Sequence, residues 1–184
     1  MSSTALLIMD VQQGIVDRFA GDGYLGRLAT AIAAARAADV MVGYVTIAFR
    51  PGYPEVSERN KSFAAIAGTG RFTDGDPGTA IPDAVAPAPG EAVVTKRRVS
   101  AFTGSDLDVL LRARRIEHLV LAGIATSGVV LSTLRQAADL DYQLVVLSDA
   151  CLDLDPEVHR VLTEKIFPRQ ADVRTTADWQ PPTS

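Results

Sequence analysis

Short, unbroken apolar runs alternate along the chain with longer stretches in which apolar residues recur at helical spacing. The first run, Ala5 to Met9 ("ALLIM"), predicts a strand buried on both faces, with Asp10 at its C-terminal end. "YLGRLATAIAAARAADV" (24–40) has the spacing and alanine content of a helix. "VMVGYVTIAF" (40–49) predicts a second strand, and "EAVVTKRR" (91–98) a third that ends near Lys96. "HLVLAG" (118–123) and "QLVVLSDA" (143–150) predict the fourth and fifth, and "ADVRTT" (171–176) closes the sheet. Helices are expected over "SDLDVLLRARRI" (105–116), with Ser105 as N-cap, and over "GVVLSTLRQAADLD" (128–141). Another is expected over "DPEVHRVLTEKIF" (155–167), capped by Asp155 with Pro156 in its first turn. Residues 50–90 are rich in Pro and Gly, which predicts a long irregular segment of the kind that forms lids or binding loops.

Strands and helices that alternate in this way imply a mostly parallel sheet covered on both faces, a three-layer α/β/α sandwich. No repeat, low-complexity tract or linker interrupts the pattern, so residues 1–184 are expected to form a single domain. A chain of this length supports one sizeable core. The net charge of −4, with no basic block, argues against nucleic-acid binding. No apolar run approaches the ~20 residues that a membrane span requires. The start, "MSSTALLIMDVQQ", lacks the basic flank and long apolar core of a signal peptide. A lone cysteine, Cys151, excludes an internal disulfide, and a cytoplasmic location is expected. His118 and His159 lie far apart without ligand spacing, so neither a metal nor another cofactor is expected.

Ligands of open parallel sheets bind beyond the C-terminal ends of the strands. Asp10, Arg50, Lys96 and the turn "GIATSGVV" (123–130) all fall at such ends. Two readings stay open for each. Asp10 is a proton-transfer group with a pKa raised at an apolar rim, or a turn cap. Lys96 partners that acid or an anionic substrate, or is a solvated charge beside Arg97 and Arg98. Arg50 and Arg59 bind a substrate carboxylate, or are solvated loop charges. The turn offers backbone N–H groups to an oxyanion, or is a βα turn capped by Thr126 or Ser127. Cys151 has no histidine partner in sequence and reads first as a packing residue.

The blocks "LLIMDVQ", "VVTKRRVSAFTGSDLDVLLR", "HLVLAGIATSGVVLSTLRQAADLDY" and "VVLSDACLDLDPEVH", in this order and spacing, resemble the isochorismatase-like (cysteine hydrolase) family. The resemblance implies the three-layer fold, a small-molecule substrate and a homodimer or homotetramer. It also implies catalytic roles for Asp10 and Lys96. The family's cysteine sits in a G-x-x-T-x-x-C-V pattern, which here runs from Gly123 to Val130. Val129 therefore replaces the nucleophile, and a covalent thioester cannot form there. The resemblance further implies a cis peptide at Ala125–Thr126.

Isochorismatases lack the cysteine and hydrolyse a vinyl ether by protonation from an aspartate. Their Gln-Pro-Gly turn corresponds to "RPG" here, with Arg50 in place of the glutamine and Arg59 some residues on. The resulting expectation is a cysteine-independent hydrolase of a small anionic metabolite. Asp10 and Lys96 would be catalytic, and Arg50, Arg59, Ala125, Thr126 and Val129 would contact the substrate. Two alternatives are an inactive binding or scaffold protein and an amide or imide hydrolase that uses Asp-activated water.

Overall fold

The first strand sets the architecture. β1 (Thr4–Met9) is buried at every residue, and side chains along a strand alternate between faces. Ala5, Leu7 and Met9 enter one apolar cluster, and Leu6 and Ile8 the other. A strand with two apolar faces is stable only between two layers of helices. The computed structural model describes residues 2–19, 21 and 23–182.

On one side lie α1 (Gln13–Phe19) and α2 (Tyr24–Ala37), which contribute Val16, Leu28, Ile32 and Ala35. On the other lie α4 (Leu107–Ala113) and α5 (Leu131–Asp139), which contribute Leu107, Leu111, Leu134 and Ala137. Burying each such Leu or Ile side chain stabilises the fold by roughly 1.5–3 kcal/mol. Between the layers, β2 (Met41–Ile47), β3 (Ala92–Lys96), β4 (His118–Ile124), β5 (Gln143–Leu152) and β6 (Asp172–Arg174) complete a six-stranded sheet with β1. Its order is β3-β2-β1-β4-β5-β6, and every pairing is parallel. The three-layer α/β/α expectation holds.

This order has one functional consequence. The chain winds outward from β1 to β3, then returns to β4 and winds the other way. The reversal lies between β1 and β4, and a crevice forms at the C-terminal ends of strands at such a point.

The 50–90 segment is more ordered than its Pro and Gly content suggests. It contains α3 (Lys61–Thr69), whose N-cap Asn60 accepts the Phe63 N–H, and 3₁₀ turns at Pro77–Thr79 and Asp83–Val85. Phe63 joins Ile47, Phe49 and Phe72 in a third apolar cluster at the end of β2. The Phe49 and Phe63 rings meet edge to face, with centroids 5.5 Å apart. That cluster, invisible to local periodicity, anchors the segment.

Caps follow expectation in one case and shift in another. Asp155 accepts the N–H groups of Glu157 and Val158 at the start of α6 (Pro156–Val161). Before α4 the capping position falls on Asp106, while the Ser105 hydroxyl accepts the Leu107 N–H. Among the described residues no helix is long and apolar enough to cross a membrane.

Candidate active site

Asp10 stands one residue beyond β1. Its N–H donates to Val45 O, which extends the ladder by one bond, and its φ of 56° then turns the chain away from the sheet. Aspartate is among the few side chains that tolerate this left-handed conformation. Lys96 ends β3, two strands away, and pairs in register with Ile47 of β2. Its long side chain bridges the gap, and Nζ lies 2.9 Å from Asp10 Oδ2. Lys96 is 1% exposed, so the solvated-charge reading is excluded. Nζ also donates to Arg98 O at 3.0 Å.

The pair is electrostatically expensive. Burial pushes the Asp10 carboxyl above its ordinary range, and the Lys96 charge and hydrogen bond only partly oppose this. Asp10 Oδ1 is buried and has no hydrogen-bond partner among the described residues. A carboxylate held through one oxygen, with the other unpartnered, is equipped to exchange a proton with something else.

Gly123 allows β4 to lie close against this point. It pairs with Met9, and its φ is +147°. A Cβ built there would lie 2.1 Å from the Met9 carbonyl oxygen, a collision with backbone immediately before Asp10. Gly123→Ala is therefore expected to destabilise the fold by at least the ~1–3 kcal/mol of a strained conformation. It should also displace Asp10. Urea unfolding and the chemical shifts of Met9 and Asp10 would check both effects.

Beyond β4 the chain forms a π-type turn, Thr126–Val130, before α5 begins at Leu131. The cis peptide lies at Ile124–Ala125, one bond earlier than the resemblance implied. The turn's N–H groups are largely engaged within the chain. Ser127 N–H donates to Asp153 Oδ2 at 2.7 Å, and the Gly128 and Val130 N–H groups donate to Ala125 O. Neither Thr126 nor Ser127 provides a side-chain cap for α5. Thr126 is fully buried, and its hydroxyl lies 2.8 Å from His159 Nδ1 on α6. Val129, 2% exposed, belongs to the apolar cluster that also holds Phe102 and Cys151.

The remaining candidates lie outside the ion pair. Arg50 Nη1 meets Glu55 Oε1 at 2.5 Å, and the same oxygen accepts from Arg97 at 2.8 Å. Arg50 is thus chained to the segment after Lys96 without touching Asp10. Arg59 is exposed, and its guanidinium makes no ion pair among the described residues. Cys151 is buried on β5, in register with Gly123, and its thiol is pushed up to about 12 by desolvation. A thiol so protonated is not a nucleophile at neutral pH. A cavity of about 660 Å³ opens at the opposite end of the sheet, between Thr4, His118, Gln143 and Trp179. The Asp10–Lys96 pair is marked by its buried charges and not by cavity volume.

Residues 4–178 match the family model for the isochorismatase domain. The chain belongs to the isochorismatase family. It is similar to the uncharacterized isochorismatase family protein YwoC of Bacillus subtilis, with 34% identity over 96% of this chain and 92% of the relative. It is also similar to the ureidoacrylate amidohydrolase RutB of Stutzerimonas stutzeri, with 37% identity over 85% of this chain and 72% of the relative. A solved isochorismatase family protein from Burkholderia thailandensis superposes with a TM-score of 0.82 at 31% identity, covering 98% of this chain and 95% of the other. Isochorismatase family members are hydrolases, and so is this protein.

Sequence reasoning passed over His159 as a non-ligand. Its structural partner, Thr126, is 33 residues away. Burial lowers the pKa of His159, partly opposed by Asp153, which favours the neutral imidazole. A half-buried histidine at hydrogen-bond distance from a buried threonine is a tertiary fact with no local signature. Gly123 left a trace, as the glycine that ends an apolar run, but its contact with Met9 depends on strand order.

Proposed function

We propose that this protein hydrolyses a small anionic metabolite by proton transfer through Asp10, without a covalent thiol intermediate. The observation that carries the proposal is the buried Asp10–Lys96 pair, with Oδ1 unpartnered at the β1/β4 switch point. Lys96 fixes Oδ2 and supplies positive charge, while Oδ1 faces the reaction. In a vinyl ether, Asp10 in its protonated form delivers that proton to the enol carbon. Water adds to the resulting oxocarbenium carbon and returns a proton to Asp10, and the hemiketal collapses to ketone and alcohol. The raised carboxyl pKa suits this donor role. Arg59, which follows the "RPG" turn as the substrate-contacting arginine of isochorismatases follows theirs, is exposed and supports an anionic substrate.

Two facts support a route without a thiol. Val129 stands where the family's cysteine pattern places its nucleophile, and Cys151, the chain's one cysteine, is buried and protonated. A second reading keeps the same pair but has Asp10 take a proton from the water that attacks an amide. It is supported by the likeness to ureidoacrylate amidohydrolases. The family resemblance supports a homo-oligomeric assembly.

Turnover of isochorismate, ureidoacrylate and a panel of small amides tests the proposal. Cys151→Ala should keep kcat within about twofold of the wild type, because a buried protonated thiol contributes packing and not chemistry. A Cys151→Ala variant that folds but is inert, or a thioester trapped by mass spectrometry, would refute it. The pH profile separates the two readings. A proton donor loses rate as pH rises through the raised Asp10 pKa, whereas a proton acceptor gains rate over the same interval.

A further inference from the structure

We infer that Gln12 is a positioning residue that fixes the distance between Asp10 and Lys96 by tying the exit of β1 to the end of β2 and to the 77–80 turn. Its catalytic consequence rests on the function proposed above.

Gln12 is fully buried. Its Oε1 accepts the Ile47 N–H at 2.7 Å, and its Nε2 donates to Ile47 O and to Thr79 O, each at 3.0 Å. Both amide hydrogens and the carbonyl are thus engaged within the chain. The partners explain the arrangement. Gln12 lies two residues after Asp10, at the point where the chain has already turned off the sheet. Ile47 is the last residue of β2 and sits in register beside Lys96. The Asp10–Lys96 contact spans β2, so its length depends on how β1's exit lies against β2's end. Beside the Asp10 N–H bond to Val45 O, the Gln12 side chain is the link that reaches the last residue of β2. Its main chain continues the attachment, since Gln12 O accepts the Ile15 and Val16 N–H groups, and Gln13 N–H donates to Ala80 O.

An ionised carboxylate cannot replace this amide. Glutamate at position 12 would turn lone pairs toward two carbonyl oxygens. In its protonated form it would still accept from Ile47 N–H and donate to one carbonyl. Gln12→Glu should therefore carry a titration of its own. At acidic pH it retains the link, and as pH rises it loses it.

The experiment follows the Asp10 carboxyl by ¹³C NMR, assigned with Asp10→Asn, in the wild type, Gln12→Ala and Gln12→Glu. Turnover is measured in parallel with isochorismate and ureidoacrylate. In Gln12→Ala the Asp10 midpoint should fall toward the ordinary carboxylate range, because water reaches the loosened junction and desolvation is the larger influence on this group. On the substrate that the wild type turns over, kcat should drop by about 100-fold with KM little changed, as a displacement of ~1 Å produces. Gln12→Glu should approach the wild type at acidic pH and behave like Gln12→Ala above its own titration, adding to the pH profile a second titration that the wild type lacks. If Gln12→Ala does not fold, Gln12→Glu compared across pH decides alone. An unchanged Asp10 midpoint in the folded variants, or a fall in stability with kcat intact, overturns the inference. If the wild type turns over neither probe, the functional proposal fails, while the Asp10 midpoints still decide whether Gln12 positions the pair.

Discussion

Asp10→Asn is expected to lower kcat by about 10²–10⁴-fold, the usual contribution of a positioned proton-transfer group. Asparagine is the informative replacement because the backbone at this position has a φ of 56°. Asparagine adopts that conformation readily, whereas alanine would add backbone strain. The Asp10 N–H keeps its bond to Val45 O, and the amide oxygen can still accept from Lys96. The variant retains the shape of the site and loses the transferable proton. Steady-state rates on the substrate that the wild type hydrolyses, with urea unfolding run in parallel, would check this. A folded Asp10→Asn protein with nearly wild-type kcat would remove Asp10 from the chemistry. Tight ligand binding with wild type and variant equally inert would favour a scaffold role.

Lys96→Met should have the largest effect on stability, a loss of about 3–5 kcal/mol at neutral pH. Removing one member of a buried ion pair leaves the other charge without compensation. Lys96 opposes the effect of burial on Asp10, so its removal raises the Asp10 pKa further. The sign of the pH dependence follows. A carboxyl whose folded pKa exceeds its unfolded value of about 3.9 contributes stability that is intact below that value and is lost as pH rises toward the folded pKa. The deficit of Lys96→Met relative to the wild type should therefore shrink on acidification from pH 7 and grow on return. Adding Asp10→Asn removes the orphaned charge and should recover most of the loss. Chemical denaturation of the single and double variants at several pH values would measure this. A pH-independent deficit would show that Lys96 acts through packing alone.

The same energetics explain why the pair reads as functional. Desolvation is the largest influence on Asp10 and is only partly opposed by Lys96, and a buried ion pair is weak as a stabilising device. A buried ion pair that leaves one carboxylate oxygen unpartnered is the arrangement that the proposed proton transfer requires.

Much of this was legible in the residues. The buried strands showed as unbroken apolar runs, because a strand covered on both faces has no polar side. The helices showed through their 3.6-residue period, and the cap at Asp155 through a short side chain placed before a proline. Asp10 and Lys96 were identifiable as polar residues that end such runs, and Val129 as the residue standing in the cysteine pattern. These are local properties, and local sequence carries them.

Other features depend on which strands are neighbours. Lys96 meets Asp10 only because β3 lies two places from β1, and Gly123 presses on Met9 only because β4 lies on the other side. Thr126 and Ser127, read locally as helix caps, are instead engaged by His159 and Asp153 from segments 33 and 26 residues away. Arg50, read as a substrate contact, has its charge met by Glu55. Local patterning was enough to define the elements, the layers and the types of residue at the strand ends. Which of those residues face one another follows from sheet order, and sheet order results from packing the whole chain.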